Sequence, residues 1–272
     1  MKCELCWHRC GTDRSRSTGK CGIDNGIHIA HYGLHTGEEP FLTGTEGSGT
    51  IFFAGCTLKC AFCQNYQISR WRSGNHATEV LTITAPMLAE IFMELKSMGA
   101  ANINLVSPTP YVPAIIDAVN IARSAGFDLP FIYNTHGYDT PGTIELLNGI
   151  IDIYLPDFKY GIDILGEELS GAPQMFSRCK ETMRAIYAQA GNLILDSSGL
   201  AVKGTVVRHL VLPGNIENSL NVLDFLERID RQINLSLMSQ FHPCGGLLSS
   251  HPELNRSLEA KEYERVVQYA ES

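Results

Sequence analysis

Cys56-Thr57-Leu58-Lys59-Cys60-Ala61-Phe62-Cys63-Gln64-Asn65 follows directly on the apolar run Thr50 to Ala54. Its cysteines are spaced CxxxCxxC, so the stretch offers three thiolates and not four. Iron–sulfur clusters ordinarily take one protein thiolate per iron, and a four-iron cube held by three cysteines keeps one iron open to a further ligand. The apolar run reads as a buried strand, which puts the cysteines on the loop at its carboxyl end. A strand that delivers ligands at its carboxyl end is the opening unit of a parallel α/β fold.

The chain beyond the cysteine loop repeats that unit. Thr84 is placed to cap a helix with Pro86 in its first turn, with Leu88, Ile91, Phe92 and Leu95 on one face and Gly99 as its stop. Then come a strand over Asn102 to Val106, a helix over Val112 to Ser124 closed near Gly126, and a strand over Phe131 to Asn134. A short helix from Pro141 to Leu147 leads to a strand at Ile151 to Leu155, a loop, and a helix from Gln174 to Ala190. A strand at Thr205 to Leu210, a helix at Ser219 to Ile229, a strand at Leu235 to Ser239 and an amphipathic helix from Leu258 to Tyr269 complete the pattern.

Six strands alternating with helices argue for parallel βαβ units. Six are too few to close an eight-stranded barrel, so an open barrel or a doubly wound sheet remains. In both, ligands bind beyond the carboxyl ends of the strands. Those ends carry Ser107 and Thr109, then Asn134, Thr135 and His136, then Asp157 and Lys159, then Arg208 and His209, then Gln240 and His242.

Upstream, Cys3, Cys6, Cys10 and Cys21 lie in a segment with almost no apolar content, punctuated by Gly11, Gly19, Gly22 and Gly26. Such a segment cannot order itself by burying a core, and needs a metal or the rest of the protein to hold it. Four cysteines suit a tetrahedral zinc site or a second iron–sulfur cluster, and His8 is a possible substitute ligand. Ile27 to Gly49 reads as a hairpin and lead-in loop. The expected division is a cysteine-rich arm and lead-in over residues 1–48 and one α/β domain over 49–272.

With 272 residues, 44% of them apolar, the chain can bury a sizeable core. A net charge of −8 provides no basic footprint for nucleic acid. Cysteines and charges stand where a secretory signal would be apolar, and no run approaches the roughly 20 apolar residues of a membrane span, so a cytoplasmic protein is expected. Of nine cysteines, Cys179 and Cys244 stand apart and read as core or incidental residues. In a cytoplasmic chain, close cysteine spacings point to metal or redox ligation and not to disulfides. Tyr66, Arg70 and Trp71 follow closely, placed either to shield the cysteine loop from water or simply to pack beneath it. HPCGG, at His242 to Gly246, reads as a flexible loop over the strand ends, either a substrate lid or only a connection.

At CxxxCxxC, with the aromatic Phe62 before the last cysteine, the chain resembles the radical S-adenosylmethionine (SAM) superfamily. The resemblance runs from about Ile51 to the end and implies a partial (β/α)6 TIM-type barrel. It further implies a [4Fe-4S] cluster on Cys56, Cys60 and Cys63, SAM chelated at the open iron, and a 5′-deoxyadenosyl radical. Asn134 to Tyr138, Asp157 with Lys159, and Arg208 to Gly214 bring the chain closest to pyruvate formate lyase activating enzyme and its relatives of unassigned substrate. Carried over, Phe62 helps seat adenine, and Ser107 and Thr109 lie near the methionine amino group. Asn134, Asp157, Lys159 and Arg208 face the ribose or carboxylate of SAM or the substrate. The partners so implied are a one-electron donor such as flavodoxin or ferredoxin and a glycyl-radical enzyme. A small molecule or another peptide is the alternative substrate, and a non-enzymatic zinc or iron–sulfur module the alternative class. The family's Gly-Gly-Glu after the second strand is replaced here by Ser107, Pro108 and Thr109, which leaves no countercharge for an ammonium.

Overall fold

The computed structural model describes residues 2–72, 79–244 and 251–272. Residues 245 and 246 of the HPCGG loop, and the lid reading with them, lie outside the described residues. The chain forms a mixed α/β fold around one sheet. In order come β1 (Ile27–His35), α1 (Pro40–Thr43), β2 (Ser48–Phe53), α2 (Tyr66–Ser69), β3 (Leu81–Ile83), α3 (Ala85–Ser97), β4 (Ile103–Val106), α4 (Val112–Ser124) and β5 (Phe131–Thr135). They continue with α5 (Pro141–Leu146), β6 (Ile153–Pro156), α6 (Asp163–Ser170), α7 (Met175–Ala190), β7 (Ile194–Leu195), β8 (Ala201–Leu210), α8 (Ile216–Glu227), β9 (Asn234–Met238) and α9 (Ala260–Ala270).

Strands β2, β4, β5, β6, β8 and β9 are parallel and lie side by side in chain order. A doubly wound sheet needs a point where that order reverses. None occurs here, so that alternative is set aside. The hairpin expected in the lead-in is β1, which runs antiparallel to β2 and carries β3 on its other edge.

Alternation of side chains along each strand produces two faces. Ile51, Phe53, Leu105, Phe131, Tyr133 and Tyr154 pack against Leu88, Phe92, Leu95, Ile115 and Val119 of α3 and α4, forming the main core. The opposite face presents Ile132, Ile153, Leu155 and Val206, and Phe41 and Leu42 of α1 close over them. The lead-in thereby delivers Glu38 and Glu39 to this second, inner face.

Helix α6 occupies what the sequence suggests is a loop. Its periodic signal is faint because it is short and carries Gly166 at its middle. A Cβ there would lie 2.5 Å from that of Met175. The readable cues are Leu165 and Leu169 four apart, both buried, and Gly171, whose φ of +63° ends the helix in the left-handed conformation. Strand β8 begins at Ala201 and not Thr205, because its first residues pair with β7. Among the described residues no helix is long and apolar enough to cross a membrane.

Candidate functional site

The cysteine loop leaves β2 at its carboxyl end, and each of its three sulfurs has a polar partner. Leu58 N–H donates to the Cys56 sulfur at 3.4 Å. Ser170, the last residue of α6, donates its hydroxyl to the Cys60 sulfur at 2.9 Å and is itself bonded to Tyr160 OH at 2.6 Å. The Cys63 sulfur lies 3.5 Å from Ser69 Oγ on α2. Three different segments thus address three thiols. The loop backbone is pinned as well, with Lys59 N–H on Ser170 O and Ala61 N–H on Leu169 O, while Arg70 donates to the carbonyls of Lys59 and Cys60. Burial, and then the proximity of Cys60, pushes the Cys56 thiol up to about 12, and burial also raises Cys60. A metal must therefore displace protons to bind, as thiolate ligation requires.

Lys159 stands beside this loop, with Nζ paired to Asp157 Oδ2. Burial opposes its charge, but Asp157, then Cys60 and Cys63, outweigh that and raise its pKa. His136, after β5, is buried under the loop. Its Nδ1 accepts Tyr138 N–H at 3.1 Å, so Nε2 carries the proton and donates to Thr57 Oγ1 at 2.5 Å. Burial lowers the His136 pKa to about 4, and the ring is neutral at physiological pH. Phe62 is buried against Phe241 and Tyr160.

Thr109 is fully buried, and its Oγ1 lies 3.5 Å from the Tyr133 hydroxyl, which also donates to Asp139 Oδ1 at 2.8 Å in the loop beyond β5. Ser107 is half-buried and adopts φ +58°, a left-handed backbone that suits glycine. Asn134, also half-buried, holds Ser107 through its carbonyl, which accepts Ser107 N–H at 3.0 Å. Cys179 is a core residue as expected. His209 turns into the core, where Nδ1–H donates to Phe158 O at 2.7 Å and Nε2 accepts from Ser219 at 2.9 Å.

Burial lowers the His209 pKa from 6.5 to about 4. An unfolded chain then binds the proton more readily than the folded one. The contribution of His209 to stability is complete above about pH 6.5 and is lost as pH falls toward 4, at about 1.4 kcal/mol per pH unit. The urea midpoint should decline over that window, and His209→Gln should flatten part of the decline.

Arg208 sits on the inner face with company that the sequence did not reveal. Its Nε donates to Glu39 Oε1 at 2.9 Å, and Nη2 contacts Glu38 and Glu39. All three side chains are almost entirely buried. Glu38 also accepts from Asn104 Nδ2 at 3.0 Å, which ties the acidic pair to β4. Burial works to raise the Glu39 pKa, but the Arg208 bonds and charge overcome it and lower it.

The cysteine-rich arm lies across the strand ends. Trp7 N–H donates to Tyr138 O, Thr140 N–H to Leu5 O, and Trp7 Nε1 to Thr182 Oγ1 at 3.1 Å. His8 Nε2–H donates to Thr57 O at 2.9 Å, which ties the arm to the cysteine loop. Between the arm and the starts of α4 and α5 lies a cavity of about 790 Å³, lined among others by Cys3, Trp7, Arg14, Tyr111 and Leu146. Among the described residues no three His, Cys, Asp or Glu groups stand close enough to share one metal ion. A four-iron cube assigns each thiolate its own iron and so keeps its ligands farther apart than one ion would. The cysteine loop, with its sulfur donors, fits that group.

No protein-family model matches the chain. The uncharacterized protein MJ0674 of Methanocaldococcus jannaschii is 29% identical over 273 residues, spanning 99% of this chain and 74% of that protein. Among solved structures, Streptococcus suis SuiB bound to precursor peptide SuiA is similar with a TM-score of 0.49 and 15% identity, over 79% of this chain and 43% of SuiB. The cobalamin-dependent S-adenosylmethionine radical enzyme OxsB, with aqua-cobalamin and S-adenosylmethionine bound, has a TM-score of 0.44 and 12% identity, over 83% of this chain and 31% of OxsB. The chain spans less than half the length of either. These likenesses are too distant to carry the reading of the site, which rests on its own residues.

Proposed function

We propose that the chain is a radical SAM enzyme whose [4Fe-4S] cluster is held by Cys56, Cys60 and Cys63. One observation carries the reading. The three cysteines stand on the loop that ends the first of six parallel strands, and each sulfur has a polar partner from a different segment, as ligating thiolates require. The unreversed strand order supports a partial (β/α)6 barrel, because right-handed crossovers that all advance one way place their helices on one face. The inner face then forms the chamber.

When bound, the cluster and SAM supply a 5′-deoxyadenosyl radical that abstracts hydrogen from the substrate. The chain's own residues hold and orient. Phe62 offers an apolar wall for adenine, and Lys159 a cation beside the cysteines for a carboxylate. Asn134 and Asp157 offer polar groups for ribose. Ser107 and Thr109 take the amino-group side. Glu38, bonded to Asn104 on β4, brings a carboxylate to the strand after which the family pattern has its glutamate. Anaerobic reconstitution with iron and sulfide, then SAM and dithionite, should yield 5′-deoxyadenosine. An intact cluster that cleaves no SAM would overturn the reading.

Substrate and setting follow from the resemblance alone. It points to activation of a glycyl-radical enzyme in the cytoplasm, driven by flavodoxin or ferredoxin. The expected signature is a glycine radical on a large partner, seen by electron paramagnetic resonance. Turnover of a small molecule or peptide without that signal favours the other substrates.

Ser170→Ala should keep the iron content and fold but lower the midpoint potential measured by redox titration. Its hydroxyl stabilises the more negative, reduced state, and losing it makes reduction harder. An unchanged potential would show that the hydroxyl does not act on the metal site.

A further inference from the structure

The chain is acidic as a whole, yet one part of it is not. Residues 2–26 and 56–72, the arm and the cysteine loop with the turn behind it, hold eight of the chain's 21 lysines and arginines but only three of its 29 aspartates and glutamates. Their net charge is +5, against −13 for the other residues. An even spread would have made them slightly negative.

The two segments form one surface. Gly19 N–H donates to Ile23 O at 2.9 Å and closes the turn that carries Lys20. That turn lies against the residue before Cys56. Gly55 has φ +78°, and a Cβ there would stand 2.5 Å from Ile23 Cδ1 and 3.3 Å from the Cys21 carbonyl oxygen. Arg72 crosses back from behind the loop, donating to Gly22 O at 3.0 Å and to Asp24 Oδ2 at 2.7 Å. His8 reaches Thr57 O, two residues before Lys59. At the arm's other edge the Trp7 ring lies between the guanidinium groups of Arg9 and Arg178, at 4.8 and 4.4 Å, so α7 continues the surface with a further cation.

The acids of this surface are engaged, and several of its cations face water. Asp24 is held by His28 Nε2 at 2.7 Å and by Arg72. Asp13 accepts from Ser15 within its own turn and lies 3.6 Å from Arg16. Arg9, Lys20 and Lys59 are exposed, and the Arg16 side chain is 86% exposed. Cys56, Cys60 and Cys63 are themselves only partly buried. A local excess of one sign of charge gathers and orients macromolecules of the other sign and speeds their encounter. Electron transfer weakens steeply with distance, so a protein that reduces a metal site must dock over it. The inner face, where Arg208 stands with Glu38 and Glu39, has the opposite balance and belongs to the substrate.

We propose that the surface formed by the arm and the cysteine loop docks an acidic one-electron carrier protein, with Arg9, Arg16, Lys20 and Lys59 facing its carboxylates. This rests on the function proposed above. The reduced carrier gives up one electron and leaves oxidised by one, and that electron reduces the cluster held by Cys56, Cys60 and Cys63.

The probe is a flavodoxin of strongly negative net charge, added to the full chain after anaerobic reconstitution. Binding of oxidised flavodoxin is read by flavin fluorescence anisotropy, and electron delivery from its hydroquinone by stopped-flow bleaching of the cluster absorbance. Wild-type binding should weaken steeply as ionic strength rises from about 0.01 to 1 M, over which the screening length shrinks from about 30 to 3 Å. Arg16→Glu/Lys20→Glu should weaken binding and slow delivery about tenfold at low salt, while dithionite still drives 5′-deoxyadenosine formation at the wild-type rate. Lys203→Glu/Arg231→Glu makes the same change in net charge at the opposite end of the sheet, on exposed residues at the start of β8 and just before β9, and should behave as wild type. Binding that ignores salt, equal losses in the two variants, or a carrier that treats Arg16→Glu/Lys20→Glu as wild type overturns the inference. So does a wild type that binds no flavodoxin at low salt, which leaves the surface to an acidic substrate protein. Failure of the radical SAM reading looks different: flavodoxin still discriminates between the variants, but an intact cluster cleaves no SAM with dithionite.

Discussion

Cys60→Ser should abolish both the cluster bound by the cysteine loop and SAM cleavage, with 5′-deoxyadenosine falling at least a thousandfold, to background. A serine oxygen is a harder and far less acidic ligand than a thiolate, and the site has only three cysteines to lose from. The geometry enlarges the effect. Ser170 donates to the Cys60 sulfur at 2.9 Å, and Arg70 holds the Cys60 carbonyl at 2.9 Å, so the central ligand is fixed from two sides. Iron content should fall by about four per chain, while the far-ultraviolet circular dichroism should persist, because the backbone bonds that pin the loop are kept. Cleavage that survives with reduced iron would show that the loop is not where SAM reacts.

Arg208→Ala should cost about 3–5 kcal/mol of stability near neutral pH, the usual penalty for removing one partner of a buried ion pair. It leaves Glu38 and Glu39 facing each other on the inner face without a cation. In the wild type Arg208 lowers the Glu39 pKa, so that group's contribution is present above the ordinary carboxylate range and is lost as pH falls through the depressed value. The variant should reverse that dependence. Its buried carboxylates favour protonation, and it should recover stability relative to wild type as pH drops below about 5. Urea titrations of both proteins across pH 4 to 8 give the comparison, and a pH-independent difference would show that the charges are not what the substitution exposes.

The same two regions show what a sequence discloses. CxxxCxxC at the end of an apolar run was legible because ligand spacing and strand periodicity are both local patterns. So were the six parallel strands, each within a few residues of its observed span. Ser170 was not, because it ends a helix whose apolar spacing Gly166 interrupts. Glu38 and Glu39 were not either. They precede the first parallel strand, and nothing near them in sequence signals an arginine 169 residues away. Position at a strand's end also did not dictate direction. His209 is a polar residue near such an end, yet it turns into the core, where Phe158 and Ser219 satisfy it. Ser107 occupies a backbone conformation that its side chain gives no reason to expect.

The lead-in helix α1 and the acidic pair before it have a kinetic meaning as well. The inner face is completed by a segment near the start of the chain meeting a strand near its end, the Arg208 to Glu39 contact spanning 169 residues. Contacts of such range form only after a long loop has been closed, and they slow folding. During synthesis the two carboxylates remain in water until β8 has emerged. The wall built by Arg208 and the acidic pair is therefore among the last parts of the molecule to form, and refolding should restore helical circular dichroism before it restores full resistance to urea.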